Sequence, residues 1–199
     1  EQEAILTANR ECNLVNLEGV EIDQVIDVEH WSQGLLSSLE EELNTLKERI
    51  EIGKGFIPVE ELEYLVEKKL PELDEKLATI VRNARINALN SQLRNQIAEL
   101  AVLALLEQGY ELVGGVYDEE DETQAFTAKV KGLDGSEVVV RVDGVSGQEV
   151  KNELSVHSYD FEQRSERERE ILSNEIADVL RQEGLGVGEF KREELPDES

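Results

Sequence analysis

The chain has 199 residues, and its 46 acidic and 20 basic residues give a formal net charge of −26. A chain this negative repels phosphate backbones and anionic lipid headgroups, so we expect neither a nucleic-acid nor a membrane partner. The length allows one compact domain or two small ones. Because 39% of the residues are hydrophobic and recur periodically, we expect a folded acidic protein.

Cysteine and methionine usage limits the compartment and the chemistry. Cys12 is the only cysteine, which excludes an intrachain disulfide and a cysteine-built metal site. The sequence has no apolar run long enough to cross a bilayer and no secretory signal pattern, so we expect a cytoplasmic location. The chain begins at Glu1 and contains no methionine, which favours a fragment of a larger intracellular protein.

The first predicted element is a helix from Glu29 to Ile52. Its apolar residues recur every three or four positions, a spacing typical of a coiled coil: Trp31, Leu35, Leu39, Leu43, Leu46 and Ile50. Gly53 is expected to end this helix in the left-handed conformation, and Pro58 is expected to open the next one. The pattern predicts a tight turn between two helices.

A second helical pattern runs from Val59 to Gln108. Its predicted apolar stripe contains Leu62, Val66, Leu70, Leu73, Leu77, Ile80 and Ala84. Pro71 is expected to kink or split this helix near Leu70. After Ala84 the stripe resumes at Ile86 with its phase shifted by about two positions, which predicts either a local irregularity or a residue missing from the sequence. Together the two helices predict a long antiparallel, coiled-coil-like hairpin whose far half is covered by the N-terminal stretch or by a second copy.

The pattern changes to strands after Gly109. Four runs of alternating β-branched and aromatic residues predict a four-stranded antiparallel meander over 110–117, 123–131, 136–142 and 151–159. A last helix is predicted from Glu162 to Glu183, ending at Gly184. Since 97–106 is apolar on nearly every side, we expect that segment to be buried with the last helix against one face of the meander.

The fold class predicted from these elements is α+β, with a long helical hairpin followed by a two-layer domain. We expect a helical arm over residues 1–96, an α-β-β-β-β-α head over 97–190 and a frayed tail over 191–199. The head would include the end of the long helix as part of its core.

The best candidate interaction surface lies on the second helix. Arg82, Arg85 and Arg94 lie in the stretch 79–98, which contains no acidic residue, and Leu89 and Leu93 belong to the apolar stripe beside them. One interpretation is a surface that docks an acidic partner, such as a second copy of this chain. The other is a set of polar positions that face another helix of the same bundle.

Candidates for chemistry are few. His157 is expected on the open face of the sheet beside Ser155 and Tyr159, where a half-exposed strand histidine is favoured over a catalytic one. Asp118, Glu120 and Asp121 belong to an acidic loop that could bind a hard cation. The loop lacks EF-hand spacing, so a solvated turn is the favoured interpretation, and we expect no cofactor.

Three functions remain, in decreasing order of support. The first is a non-enzymatic interaction or scaffold module that self-associates or docks a partner protein through its helical arm. The second is an acidic decoy that regulates a nucleic-acid-binding protein by occupying its basic site. The third is an enzyme that uses carboxylate-bound metal together with His157.

Overall fold

The computed structural model describes residues 2–16, 19–53, 55–145, 151–159 and 166–188. The described residues as far as Ser91 belong to one compact unit, and those of 92–145 and 152–188 belong to a second. The first unit contains α1 (Gln2–Ala8), β1 (Glu11–Val15), β2 (Glu21–Asp27), α2 (Val28–Trp31), α3 (Leu35–Ile52), α4 (Val59–Tyr64) and a π-helical turn (Leu65–Lys69). The single helix α5 (Leu70–Glu107) begins in the first unit and ends in the second.

The first unit contains a small sheet that the sequence analysis did not predict. Strands β1 and β2 pair in antiparallel register, with Cys12 opposite Ile26. The carboxylate of Asp27, at the end of β2, accepts a hydrogen bond from the backbone N–H of Glu29 at 2.9 Å and so caps α2. Within the segment expected as a helical arm, 11–15 and 21–27 are therefore strands and not helix.

The helix predicted from Glu29 to Ile52 is interrupted near its start. Gln33 and Gly34 adopt positive φ angles of 54° and 85°, and this left-handed turn separates α2 from α3. The predicted left-handed conformation of Gly53 is also wrong, because its φ is −79°. Gly55, with a φ of 90°, is the residue that turns the chain toward α4.

Pro71 changes the helix just before it. A proline has no N–H to donate to the carbonyl four residues earlier, and its ring crowds that carbonyl, which here belongs to Glu67. The backbone N–H of Leu70 instead bonds to the carbonyl of Leu65, five residues back, and closes the π-helical turn. The predicted disturbance is thus present as a one-residue bulge, and α5 follows directly.

The bulge shifts which side chains point inward upstream of it. The bulge inserts one extra residue before α5. If the buried stripe of α5 is continued upstream across this insertion, the positions that face inward are Glu61 and Leu65 instead of Leu62 and Val66. Leu62 and Val66 are accordingly 42% and 63% exposed, whereas Leu65 is half-buried. The predicted burial of Leu62 and Val66 is therefore wrong.

The buried stripe of α5 is continuous, and the irregularity expected after Ala84 does not occur. Its members in the first unit are Leu73, Leu77, Ile80, Ala84, Ala88 and Ser91, and in the second Arg94, Ala98, Ala101 and Leu105. The predicted stripe instead contains the larger residues Ile86, Leu89 and Leu93, which lie beside the observed buried stripe and are half-buried. The apparent change of phase arose because small and polar residues occupy the middle of the stripe.

The core of the first unit joins the small sheet to the helices. Leu14 of β1, Val28 of α2 and Leu36 of α3 are fully buried, and together with Trp31 of α2 they pack with Leu73, Leu77 and Ala84 of α5. The N-terminal stretch therefore covers part of α5, as one of the two expected covers would, but it does so with β1, β2 and two short helices.

The second unit contains the predicted four-stranded antiparallel meander, with strand order β3-β4-β5-β6. The strands are β3 (Glu111–Tyr117), β4 (Phe126–Lys131), β5 (Glu137–Gly144) and β6 (Asn152–Tyr159). Strand β3 carries a bulge between Leu112 and Gly114, whereas β6 pairs with β5 in unbroken register from Asn152 to Tyr159.

Helices cover one face of this sheet, as predicted. Val138, Val140 and Val142 of β5 are fully buried against α5 and α6 (Glu166–Gln182), whose buried contacts include Ala101, Leu105, Leu172, Ile176 and Leu180. The expected burial of 97–106 is confirmed for five of its ten residues: Ala98, Ala101, Val102, Ala104 and Leu105. Glu99, Leu103 and Leu106 are exposed, and the other two residues are half-buried. Gly184 ends α6 with a φ of 83°. The predicted helix start at 162–165 and the predicted tail at 191–199 lie outside the described residues.

Candidate interaction surface

The most exposed group of apolar side chains lies where α3 is connected to α4. Seven large apolar side chains among the 17 residues from 50 to 66 are exposed, and we call them the α3–α4 surface: Ile50, Ile52, Phe56, Val59, Leu62, Tyr64 and Val66. Phe56 is 91% and Ile52 is 85% exposed. Isolated apolar residues are common on protein surfaces, but a concentrated group of this size is typical of a binding site.

Local sequence explains why these side chains are exposed. The connection runs through Gly53 and Gly55 to Pro58, and Pro58 immediately precedes α4. The open turn leaves Phe56 and Val59 outside the core, and the π-helical turn keeps Leu62 and Val66 on the solvent side of their helix. The α3–α4 surface thus follows from two glycines and two prolines that break regular helix.

A shallow groove of about 460 Å³ borders the α3–α4 surface. Its lining residues are Leu46, Arg49, Glu60, Glu61, Tyr64, Leu65 and Lys69. An ion pair between Arg49 and Glu61 joins the two sides of the groove. The groove is therefore lined by both apolar and charged side chains.

One glutamate of α3 holds two lysines close to this groove. Glu42 contacts Lys69 at 2.8 Å and Lys76 at 2.6 Å. The hydrogen bonds from these ammonium groups hold the pKa of Glu42 below its usual value, and the bond to Glu42 raises the pKa of Lys69. These two ion pairs tie α3 to the π-helical turn and to α5.

The arginines predicted to form a docking surface occupy different environments. In the first unit, Arg82 is exposed, whereas Arg85 is paired with Glu21 of β2 at 2.9 Å. Leu89 is half-buried and packs against the core of that unit. In this unit, only Arg82 of the predicted set is freely accessible.

In the second unit, Arg94 is 3% exposed and cannot reach a partner protein without movement of its surroundings. Its Nη2 donates a hydrogen bond to the carbonyl of Glu122 at 2.8 Å, and burial lowers its pKa. A Cβ built on Gly144 would lie 2.7 Å from its Nη1. Leu93 is half-buried. Arg94 therefore supports the packing of the acidic loop rather than an exposed surface.

His157 lies on β6 directly opposite Val139 of β5. Its neighbours Leu154 and Val156 pack against the core, so the alternation of a strand places His157 on the opposite face together with Ser155. His157 is half-buried. This placement is the one expected from the sequence for a strand histidine.

The acidic loop after β3 uses its carboxylates locally. Asp118 contacts Arg141 at 2.8 Å, and the side chain of Asp121 accepts a hydrogen bond from the backbone N–H of Thr123. Glu120 is exposed and has a positive φ of 59°. Within the described ranges, no three His, Cys, Asp or Glu side chains converge in a group that could hold a metal ion.

The α3–α4 surface was missed by sequence reasoning. Of its seven residues, Ile50, Leu62 and Val66 fit the predicted apolar stripes, and the bulge that exposes Leu62 and Val66 cannot be recognised from spacing alone. Ile52, Phe56, Val59 and Tyr64 belong to neither predicted stripe. The available signal was Phe56, a large aromatic residue placed between Gly55 and Pro58, where neither helix can bury it.

Within the residues that the structure describes, no helix combines the length and the apolar character needed to cross a lipid bilayer. No family model, no curated protein and no solved structure matches this chain.

Proposed function

We propose that this chain is a non-enzymatic interaction module of the cytoplasm that assembles with a second copy of itself through a helical arm. The arm consists of α3, α4 and the first part of α5 paired as an antiparallel hairpin. The exposed α3–α4 surface is the observation that carries the proposal.

The order of ion pairs supports an antiparallel arm. Glu42 contacts Lys69 and Lys76, while Arg49, two turns further along α3, contacts Glu61. The residue number of the ion-pair partner falls as the residue number in α3 rises, which is the pattern of two helices running in opposite directions. The heptad-like spacing of leucines in α3 supports the same pairing.

The local charge supports a second copy as the partner. The stretch from 47 to 69 contains six acidic and five basic residues, although the whole chain has a net charge of −26. Two copies of an acidic protein repel each other, and the repulsion is weakest where acids and bases are balanced. The α3–α4 surface lies in this nearly neutral stretch, so apolar burial there meets little electrostatic opposition.

The experiment is sedimentation velocity over a range of concentrations in 0.15 M salt, comparing the unaltered chain with the double variant Phe56→Ser/Val59→Ser. We expect the double variant to weaken association about tenfold or more, because loss of one central aromatic anchor commonly costs at least 1 to 2 kcal/mol. Leu133→Ser is the matched control, since Leu133 is also 91% exposed but lies in the second unit.

Two results would contradict the proposal. One is a mass that is unchanged by Phe56→Ser/Val59→Ser, and the other is an equal loss of association in Leu133→Ser. Since these side chains are exposed, the far-ultraviolet circular dichroism of all three proteins should be the same, which separates lost association from lost folding.

A further inference from the structure

The two outer strands of the sheet differ in how regularly they are paired. Strand β3 has a bulge, contains Gly114 and Gly115, and leads directly into the acidic loop 118–122. Bulges and charges of this kind prevent an edge strand from pairing with another chain. Strand β6 has eight regularly paired residues and, in the described part of the chain, pairs only with β5. The edge of β6 is therefore the one suited to accept another strand.

The sequence of β6 is complementary to itself when a second copy runs antiparallel about Ser155. Leu154 then lies opposite Val156, and Glu153 lies opposite His157. Residues directly opposite each other in an antiparallel pair share a face. Leu154 and Val156 both belong to the face that packs on the core, while Glu153 and His157 both belong to the other face. Each apolar residue thus meets an apolar residue, and the carboxylate meets an imidazole.

Other alignments of the same strand lose this match. An alignment centred on Val156 places Leu154 opposite Ser158, and one centred on Leu154 places Val156 opposite Asn152. A parallel alignment in register would place the two Glu153 carboxylates side by side, which is unfavourable. Of these alignments, only the one centred on Ser155 places apolar residues opposite each other on one face and Glu153 opposite His157 on the other.

Partial burial also favours a second strand at this position. Leu154 and Val156 contact the core cluster of the second unit but remain half-buried at the sheet edge. A neighbouring strand carrying the same two residues would extend that apolar layer across the boundary. The core would then continue from one copy into the next.

The charge distribution favours a second copy at β6 rather than at β3. Three strand spacings of about 4.8 Å separate β6 from β3, where the acidic loop 118–122 begins. That separation of about 14 Å exceeds the Debye length of about 8 Å in physiological salt. Pairing through β6 therefore keeps the two acidic loops far apart, whereas pairing through β3 would bring them together.

We propose that the outer edge of β6, on the side away from β5, pairs with β6 of a second copy, antiparallel and centred on Ser155, to form a continuous eight-stranded sheet. The proposal is independent of the α3–α4 surface. If both interfaces form, each copy has two attachment points, and the chain assembles beyond a dimer.

The first experiment is disulfide trapping in a Cys12→Ser background, which removes the only native thiol. In the proposed register the two Ser155 positions face each other, with a Cα separation of about 4.5 to 5.5 Å that suits a disulfide. Ser155→Cys should give a covalent dimer under mild oxidation. Tyr159→Cys is the control, because the two Tyr159 positions would be about 27 Å apart along the paired strands.

This control is biased against the proposal, since Tyr159 is 61% exposed and Ser155 is only half-buried. Random collisions would therefore link Tyr159→Cys faster. Covalent dimer that forms at least tenfold faster for Ser155→Cys supports the register. Equal rates, or faster linking of Tyr159→Cys, would overturn it.

The second experiment exchanges the two residues that lie opposite each other, Glu153 and His157, in the Phe56→Ser/Val59→Ser background so that the α3–α4 surface does not contribute. Glu153→Lys places a cation opposite His157, and His157→Glu places two carboxylates opposite each other. Because each pair occurs twice in the symmetric dimer, each single change should weaken dimerisation about threefold to tenfold. The double variant Glu153→Lys/His157→Glu should restore it.

A double variant as weak as the two losses combined would contradict the pairing. If disulfide trapping succeeds in the Phe56→Ser/Val59→Ser background while those two changes leave sedimentation unaltered, the β6 interface is correct and the proposed role of the α3–α4 surface is wrong. If disulfide trapping fails while Phe56→Ser/Val59→Ser weakens association in sedimentation, the proposed role of the α3–α4 surface is correct and the β6 interface is wrong.

Discussion

The contact between Gly144 and Arg94 offers a quantitative test of the packing in the second unit. A Cβ on Gly144 would lie 2.7 Å from Arg94 Nη1, well inside normal contact distance, and Arg94 is 3% exposed. The guanidinium is also held by its hydrogen bond to the carbonyl of Glu122. It therefore has little room to move away from a new methyl group.

The expected magnitude follows from two opposing effects. Gly144 ends strand β5 without a positive φ, so replacement by alanine should gain about 0.5 to 1 kcal/mol by restricting the unfolded chain. Overpacking at a site that cannot relax costs about 1 to 3 kcal/mol. We expect Gly144→Ala to lower the free energy of unfolding of the second unit by about 1 kcal/mol.

The partner variant is Arg94→Met, which removes the guanidinium but retains a long flexible side chain. In that background Gly144→Ala should be neutral or stabilising, so the two changes should show a coupling energy of about 1 to 3 kcal/mol. Trp31, the only tryptophan, lies in the first unit and does not report on the second. The assay is therefore hydrogen exchange of the amides of 138–142, measured for all four proteins. An equal cost of Gly144→Ala in both backgrounds would refute the reasoning.

Three further predictions concern single contacts. Glu42→Gln should lower the free energy of unfolding by about 0.5 to 1 kcal/mol at pH 7. Folding lowers the pKa of Glu42, so the contribution of Glu42 to the free energy of unfolding is complete above the ordinary glutamate value of about 4.3 and is lost as the pH falls below it. Urea titrations of the variant and of the unaltered chain should therefore converge in acid. A constant difference between them would contradict the assignment. Asp27→Ala removes the cap of α2 and should cost about 1 kcal/mol in tryptophan-monitored unfolding, whereas Asp27→Asn should cost less. Leu105→Ala, at a fully buried position of α5, should lower the free energy of unfolding measured by hydrogen exchange of the β5 amides by about 2 to 5 kcal/mol. Leu103→Ala, at an exposed position of the same helix, should lower it much less.

The sheet of the second unit could be predicted because its signal is local. Val138, Val140 and Val142 occupy every second position of a run rich in β-branched residues, and glycine and acidic residues separate the runs. One-sided burial follows from that alternation once the helices before and after the sheet are recognised. The predicted meander and its helical cover are accordingly present, with strand bounds that differ by one to three residues.

The first unit was less predictable because its features depend on packing. In β1 and β2, only Leu14 and Ile26 are fully or nearly buried, so the alternation is weak. The stripe of α5 passes through Ser91 and Arg94, which no hydrophobic pattern would include. Arg94 was therefore assigned to the surface by its chemistry, although the helix places it inside.

The π-helical turn before Pro71 determines which side chains of the preceding helix are exposed. One extra residue rotates the preceding helix by roughly 100° relative to α5, so a single imino acid decides whether Leu62 and Val66 are sheltered or displayed. Replacing Pro71, or deleting one residue between Leu65 and Lys69, would allow an uninterrupted helix and turn those side chains toward α3. In the proposed assembly, a replacement of Pro71 would therefore weaken self-association without changing any residue of the α3–α4 surface.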